Sequence, residues 1–275
     1  MIEIRTLLEN VGTEHKSLIP KHGFSTFIKT DSLKLVFDCG PDETALHNAR
    51  LMDVKPETAD VVVLSHSHYD HSGGYPDFVR SGVKGTLYTG PAFFEPKYAF
   101  DGVKHTYLGA GFDEEFLAEN WIVHKECRGM VKLSEDCFLF QGFPRVHEFE
   151  TIPERFVKGE LPDAVTDDFD DEICVVLKTS KGLVVVVGCS HPGILNMLKK
   201  IHETMNMPIY AVLGGTHLVE ADSERVEKTV EEMKAMGVEI MGLCHCSGQD
   251  AESAVHMHKD VRSCHLGVGD CFAVE

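Results

Sequence analysis

Apolar positions along the chain fall into short runs or alternating stretches and longer stretches at helical spacing. The first kind predicts strands at Glu3–Glu9, Ser25–Lys29, Leu33–Phe37, Asp60–Ser65 and Leu87–Thr89. Asp60–Ser65 is almost wholly apolar, the signature of a strand covered on both faces. Helical spacing appears at Glu43–Met52, where Ala45, Leu46, Ala49 and Met52 share a face, and again at Asp113–Glu119. The second half alternates more cleanly. Strands are predicted at Ile173–Thr179, Leu183–Val187, Ile209–Leu213 and Glu239–Leu243. Helices are predicted at Gly193–Glu203, Ser223–Met236, with Ser223 as cap, and Asp250–Lys259. This alternation implies a layered α/β fold with short connections. One domain over residues 1–275 is expected, with an irregular excursion at about 90–172. Within it, residues 148–172 carry ten acidic and two basic side chains, which reads as an exposed loop, a flap or a solvated linker.

Composition narrows the function. Hydrophobic residues make up 43% of the chain, enough for a sizeable core. A formal charge of −18, with no basic run longer than Lys199-Lys200, argues against nucleic acid as a partner. No stretch approaches the ~20 apolar residues that span a bilayer. The acidic Glu3 and Glu9 do not suit a signal peptide, and the nine scattered cysteines read as reduced thiols. A cytoplasmic protein that does not enter membranes is expected, with its oligomeric state left open.

Chemistry concentrates where the Asp60–Ser65 strand ends. His66, His68, Asp70 and His71 supply four metal-ligand side chains in six residues. A dry apolar core would leave several of these groups unpaired, at a few kcal/mol each. Zinc, iron or manganese would bind them. Extended backbone would put His66, His68 and Asp70 on one side, with a turn at Asp70-His71 bringing the last imidazole round. Three later strands also end near a histidine: Cys189-Ser190-His191, Thr216-His217 and Cys244-His245-Cys246. They converge if those strands lie parallel and adjacent. Cys244 and Cys246 could instead be half of a structural zinc site, but no second pair at matching spacing accompanies them. Lys21, His22, Arg145 and Arg155 are candidate contacts for an anionic group.

The His66–His71 pattern resembles the metallo-β-lactamase superfamily. The resemblance implies a four-layer αββα sandwich and a two-metal site, zinc first with iron or manganese as alternatives. It assigns His66 and His68 to one metal, Asp70 and His71 to the other, and to Asp38 the supporting role of holding the histidine loop. His191, as a further ligand with a bridging role open to it, and His245 complete the expected set. His22, His217 and Cys189 are expected near the substrate, with Cys189 and His217 also open as ligands. The chain departs from the superfamily where Val187-Gly188-Cys189 replaces the usual bridging Asp. It also lacks a clear third-motif His, for which His147 stands in roughly the right place. The Gly-Cys-Ser-His-Pro-Gly-Ile, Gly-Gly-Thr-His-Leu and His-Cys-Ser-Gly segments, with His22-Gly23-Phe24-Ser25 and the Pro162-Asp163…Asp171-Glu172 stretch, are similar to one branch. Its members are named 7,8-dihydropterin-6-yl-methyl-4-(β-D-ribofuranosyl)aminobenzene-5′-phosphate synthases. The expected activity is metal-assisted hydrolysis of a small anionic, phosphate-bearing substrate, in which Asp70 orients a metal and accepts a proton. The alternatives are a pterin-linked transferase or synthase, and a non-hydrolytic di-iron or metal-sensing module.

Overall fold

A computed structural model describes residues 1–275. In chain order the first half holds β1 (Ile2–Leu8), β2 (Ser25–Lys29), β3 (Lys34–Phe37), α1 (Thr44–Leu51), β4 (Val61–Val63), α2 (Tyr69–Ser72), α3 (Tyr75–Arg80) and β5 (Thr86–Thr89). Then come β6 (Lys97–Phe100), β7 (His105–Tyr107), α4 (Glu114–Glu119), β8 (His124–Glu126), β9 (Met130–Lys132), β10 (Cys137–Gln141), β11 (Phe156–Lys158) and β12 (Val165–Thr166). The second half adds β13 (Ile173–Thr179), β14 (Gly182–Val187), α5 (Ile194–Met205), β15 (Ile209–Gly214), α6 (Ser223–Ala235), β16 (Ile240–Leu243), α7 (Gly248–Met257), β17 (Arg262–Ser263) and β18 (Cys271–Val274).

Two seven-stranded sheets face each other, ordered β18-β1-β2-β3-β4-β5-β8 and β17-β16-β15-β14-β13-β10-β9. The side-chain alternation shows why β4 and β14 are apolar throughout. Val61 and Val63 point between the sheets, whereas Val62 and Leu64 point outward against α1, α3 and α4. Val184 and Val186 likewise point between the sheets, and Leu183, Val185 and Val187 pack under α5, α6 and α7. Each strand therefore serves two cores, and the layers run αββα.

Three expectations need correction. The excursion at 90–172 is not irregular: β8 joins the first sheet, β9 and β10 extend the second, and β6, β7, β11 and β12 make a third sheet of four strands. All of these strands span only two to five residues, too few for a period to show. The acidic segment is not simply a solvated loop, because Glu150, Asp167, Asp171 and Glu172 are buried. Finally, α6 is capped by Asp222, whose carboxylate accepts the Arg225 N–H at 2.8 Å, rather than by Ser223.

Strand direction sets the site. β14, β15 and β16 are parallel neighbours, as are β3, β4 and β5. The carboxyl ends of strands in both sheets thus open onto one edge of the sandwich.

Candidate metal centre

The loop after β4 carries Ser65 through His68 straight into α2, which turns Asp70 and His71 inward. Asp38, at the end of β3, fixes it. One Asp38 oxygen accepts the Ser65 N–H at 2.7 Å; the other accepts the Ser65 hydroxyl at 2.8 Å and lies 2.6 Å from His71 Nδ1. Asp38 sits at φ 59° to do so, a conformation an acidic residue tolerates better than most. Gly188, at the end of β14, presses against the same point: a Cβ there would collide with the Ser65 hydroxyl.

The three parallel strands deliver the rest. Cys189 and His191 follow β14, His217 follows β15, and His245 and Cys246 follow β16. The ring centroids of His191 lie 5.0 Å from His66, 5.3 Å from His68 and 4.3 Å from His217. His71 Nε2 stands 3.1 Å from His245 Nε2 and 3.1 Å from Cys189 Sγ, and Asp70 Oδ2 is 3.5 Å from His245 Nε2. Imidazole, thiol and carboxylate donors thus crowd around one point, where in the metal-free chain they share protons. Ligands around a tetrahedral zinc are spaced about 3.3–3.7 Å apart, given its bond lengths.

The orphaned atoms tell the same story. His66 Nε2 and both ring nitrogens of His191 are buried with no hydrogen-bond partner, a costly arrangement without a cation. Ligand atoms converge within 4.8 Å in His66, Cys189 and His191; in His71, Cys189 and His245; and in His22, Asp70 and His245. The residues fit divalent metal ions of the kind this donor set binds. His68 faces the same pocket without joining one of these triads. His147 stands apart, packing on Phe149.

Charges inside the pocket want a cation. Burial would raise Asp70, but His71, His22 and His245 hold it well below the usual carboxylate range. Burial would lower His71, but Asp38 and Asp70 outweigh it and lift the imidazole to about 9. Burial keeps His66, His68 and His191 well below the usual histidine range, so their lone pairs are free. Burial also opposes a Cys246 thiolate, yet Cys189, His245 and His217 bring that thiol well below its usual range. A metal bound here replaces protons that the metal-free pocket retains.

Sequence reasoning missed the groups that hold these loops. Each is a buried carboxylate accepting backbone N–H groups. Glu172 takes those of Cys189, Ser190 and His191 at 3.3, 2.6 and 3.1 Å, and burial pushes it up to about 8. Asp171 takes Ser67 N–H at 2.9 Å, and Glu9 takes His245 N–H at 2.6 Å. Lys97, itself buried, neutralises Asp171 and Asp167 and lies 4.6 Å from the centre of the Phe169 ring, which stacks on His191 at 3.7 Å. The available signal was an acidic residue at a strand boundary: Glu9 just after β1, and Asp171-Glu172 just before the apolar β13.

A cavity of about 390 Å³ opens over the donors, lined by His22, Tyr69, Phe156 and Arg155 among others. Arg155 is the only lysine or arginine lining it; its guanidinium lies 4.1 Å from the Phe156 ring centre and forks onto Glu220 at 2.9 and 2.5 Å. Of the other candidate anion contacts, His22 reaches Asp70 Oδ2 at 3.1 Å, Lys21 pairs with Asp42, and Arg145 bonds the Asp168 carbonyl.

A family model of the metallo-beta-lactamase superfamily matches residues 18–173, the stretch that contains the whole His66–His71 loop. This chain belongs to the metallo-β-lactamase superfamily. Within the superfamily it is 31% identical to the 7,8-dihydropterin-6-methyl-4-(β-D-ribofuranosyl)-aminobenzene-5′-phosphate synthase of Methanocaldococcus jannaschii, over 92% of this chain and 90% of that one. It is similar at 27% identity and TM-score 0.86 to the crystal structure of a metal-dependent hydrolase of the same superfamily, covering 100% of this chain and 99% of that one. A diphosphatase of the PhnP family, 10% identical at TM-score 0.57 over 100% and 98% of the two chains, shares the fold alone. No helix here is long and apolar enough to cross a membrane.

Proposed function

We propose that this chain is a dinuclear-metal-dependent hydrolase acting on a small anionic substrate that carries a phosphate group. The observation that carries this reading is the convergence of imidazole, carboxylate and thiol donors, with His66 and His191 nitrogens left unpaired, beneath a cavity with one permanent cation. In this reading His66, His68 and His191 hold one metal, and Asp70, His71 and His245 the other. Cys189 belongs to donor clusters with His66 and His191 and with His71 and His245, and would serve as a ligand there. Zinc suits this imidazole and thiol set best.

Two such cations lower the pKa of water and offset charge developing on phosphoryl oxygens. The chain does the rest. Asp38, Asp171, Glu172 and Glu9 fix the donor loops, so little reorganisation accompanies the reaction. Phe156 and Phe169 cover the imidazoles and keep water off them. His22, whose side chain is 60% exposed, bonds Asp70 and stands where a proton passes between centre and solvent. Arg155, flattened on Phe156 with its fork held by Glu220, is the one permanent cation that an anionic group entering the cavity meets.

A second reading is supported by the archaeal relative: a synthase joining a dihydropterin to an aminobenzene ribose phosphate. Both readings need a phosphate-bearing substrate and the same donors, and product analysis separates them. Purified protein is assayed for metal content, then against a panel of phosphoesters and diphosphates, and against a dihydropterin diphosphate with the aminobenzene ribose phosphate. Bound metal, with phosphate release that chelation or His68→Ala abolishes, is the expected result. Full turnover after chelation sinks the metal reading. Coupled product without hydrolysis replaces hydrolase by synthase.

A further inference from the structure

We propose that Cys189, His217 and Cys246 form a third, sulfur-rich cation position beside the metal pair, sharing the Cys189 thiolate with it. The inference rests on the reading above in taking Cys189 as a ligand. His217 and Cys246 stand outside the set assigned there.

Ligand atoms of the three residues lie within 4.8 Å of one another, brought together by the loops after β14, β15 and β16. His217 is held as the proposed ligands are. His71 uses Nδ1 on Asp38 and turns Nε2 to the pocket; His245 uses Nδ1 on Asn10; His66 uses Nδ1 on Ser65 and leaves Nε2 buried and unpaired. His217 reverses the atoms but keeps the pattern. Its Nε2 meets Glu220 at 3.1 Å, and its Nδ1 is buried with no partner. A carboxylate on the far nitrogen is how proteins orient a metal-binding imidazole, and the Arg155 fork fixes Glu220 in turn.

Cys246 is placed for the same purpose. Its Sγ accepts the His217 backbone N–H at 3.3 Å, a bond that favours thiolate. Gly215 makes room for it: a Cβ there would come within 2.6 Å of the sulfur. A cysteine that merely fills space packs among apolar side chains, as Cys174 does inside a hydrophobic core; Cys246 lines the cavity together with five histidines. His217 and His245 also adopt φ 47° and 53°, backbone strain that clusters at functional sites. Two thiolates and an imidazole favour zinc, cadmium or copper(I) over magnesium or manganese. On binding, each coordinating thiol that carries a proton exchanges it for the metal and releases it to solvent.

The test is cadmium titration of chelator-stripped, reduced protein, followed by equilibrium dialysis and by the ultraviolet thiolate-to-cadmium band. Wild type is expected to take up about three equivalents, and Cys246→Ala and His217→Gln about two, with a weaker band and unchanged circular dichroism. Glu220→Gln is expected to weaken only the last equivalent, by about tenfold. Cys246→Ser serves if the alanine variant fails to fold. Saturation of wild type at about two equivalents, with the same band in Cys246→Ala, overturns the third position and leaves the pair standing. No cadmium uptake at all overturns both.

Discussion

The Lys97 ammonium sits 2.5 Å from the Asp171 carboxylate, and both side chains are sealed from solvent. The second Asp171 oxygen accepts the Ser67 N–H, so this ion pair reaches the backbone between His66 and His68. Asp167, 3.0 Å from the same ammonium, completes a triad.

Removing the cation from such a triad leaves two buried carboxylates uncompensated. Lys97→Met is therefore expected to cost about 3–5 kcal/mol of stability. Urea unfolding followed by fluorescence measures it. Adding Asp167→Asn should recover part of the loss, because one stranded charge disappears; strictly additive losses would show that the two groups do not couple.

Asp38→Asn tests orientation rather than stability. The amide keeps the size of the side chain but presents an N–H where an oxygen now accepts. His71 loses its charged partner, and affinity for the first divalent ions should fall about 10–100-fold. Competition with a chromophoric chelator reads this directly. Unchanged affinity would mean that the imidazole is held by packing alone.

Arg155→Met addresses substrate recognition. Losing a charge-assisted hydrogen bond to the substrate costs about 1.5–3 kcal/mol. KM for a phosphate-bearing substrate should rise about tenfold or more, with kcat changed less. An equal rise for an uncharged ester would assign Arg155 to shaping the cavity.

Glu150 gives a pH signature away from the centre. Its carboxylate accepts the Leu195 and Asn196 N–H groups, both at 2.8 Å, and burial lifts it to about 7 from an ordinary 4.5. Between those values the folded chain keeps a proton that the unfolded chain has lost. Its contribution is therefore fully present below about 4.5 and drains away as pH rises through 7. Against Glu150→Gln, wild type should lose on the order of 3 kcal/mol across that window. Parallel stability–pH curves for the two proteins would refute the assignment.

How much of this was legible in the sequence depends on distance along the chain. The continuous run Asp60–Ser65 announced a doubly covered strand, and three strand-ending histidines announced a common edge if their strands lay parallel. Both needed only local pattern. The buttresses were different. Glu172 reads as one more acid in a charged run until β14 lays the Cys189–His191 backbone over it. Glu9 meets His245 only once the first and last thirds of the chain fold together. Cys246 looked like half of an unmatched pair with Cys244, whereas in three dimensions its neighbours are Cys189 and His217. Partners fixed by tertiary approach leave no periodic trace.

His71 and His245 face one another across 174 residues of chain. An ion lodged between them would clasp the two halves as a removable cross-link, restricting the unfolded chain over a very long loop. Metal supply would then govern the lifetime of the folded molecule as well as its chemistry. A chain deprived of the ion would open more often and expose more of itself to proteases.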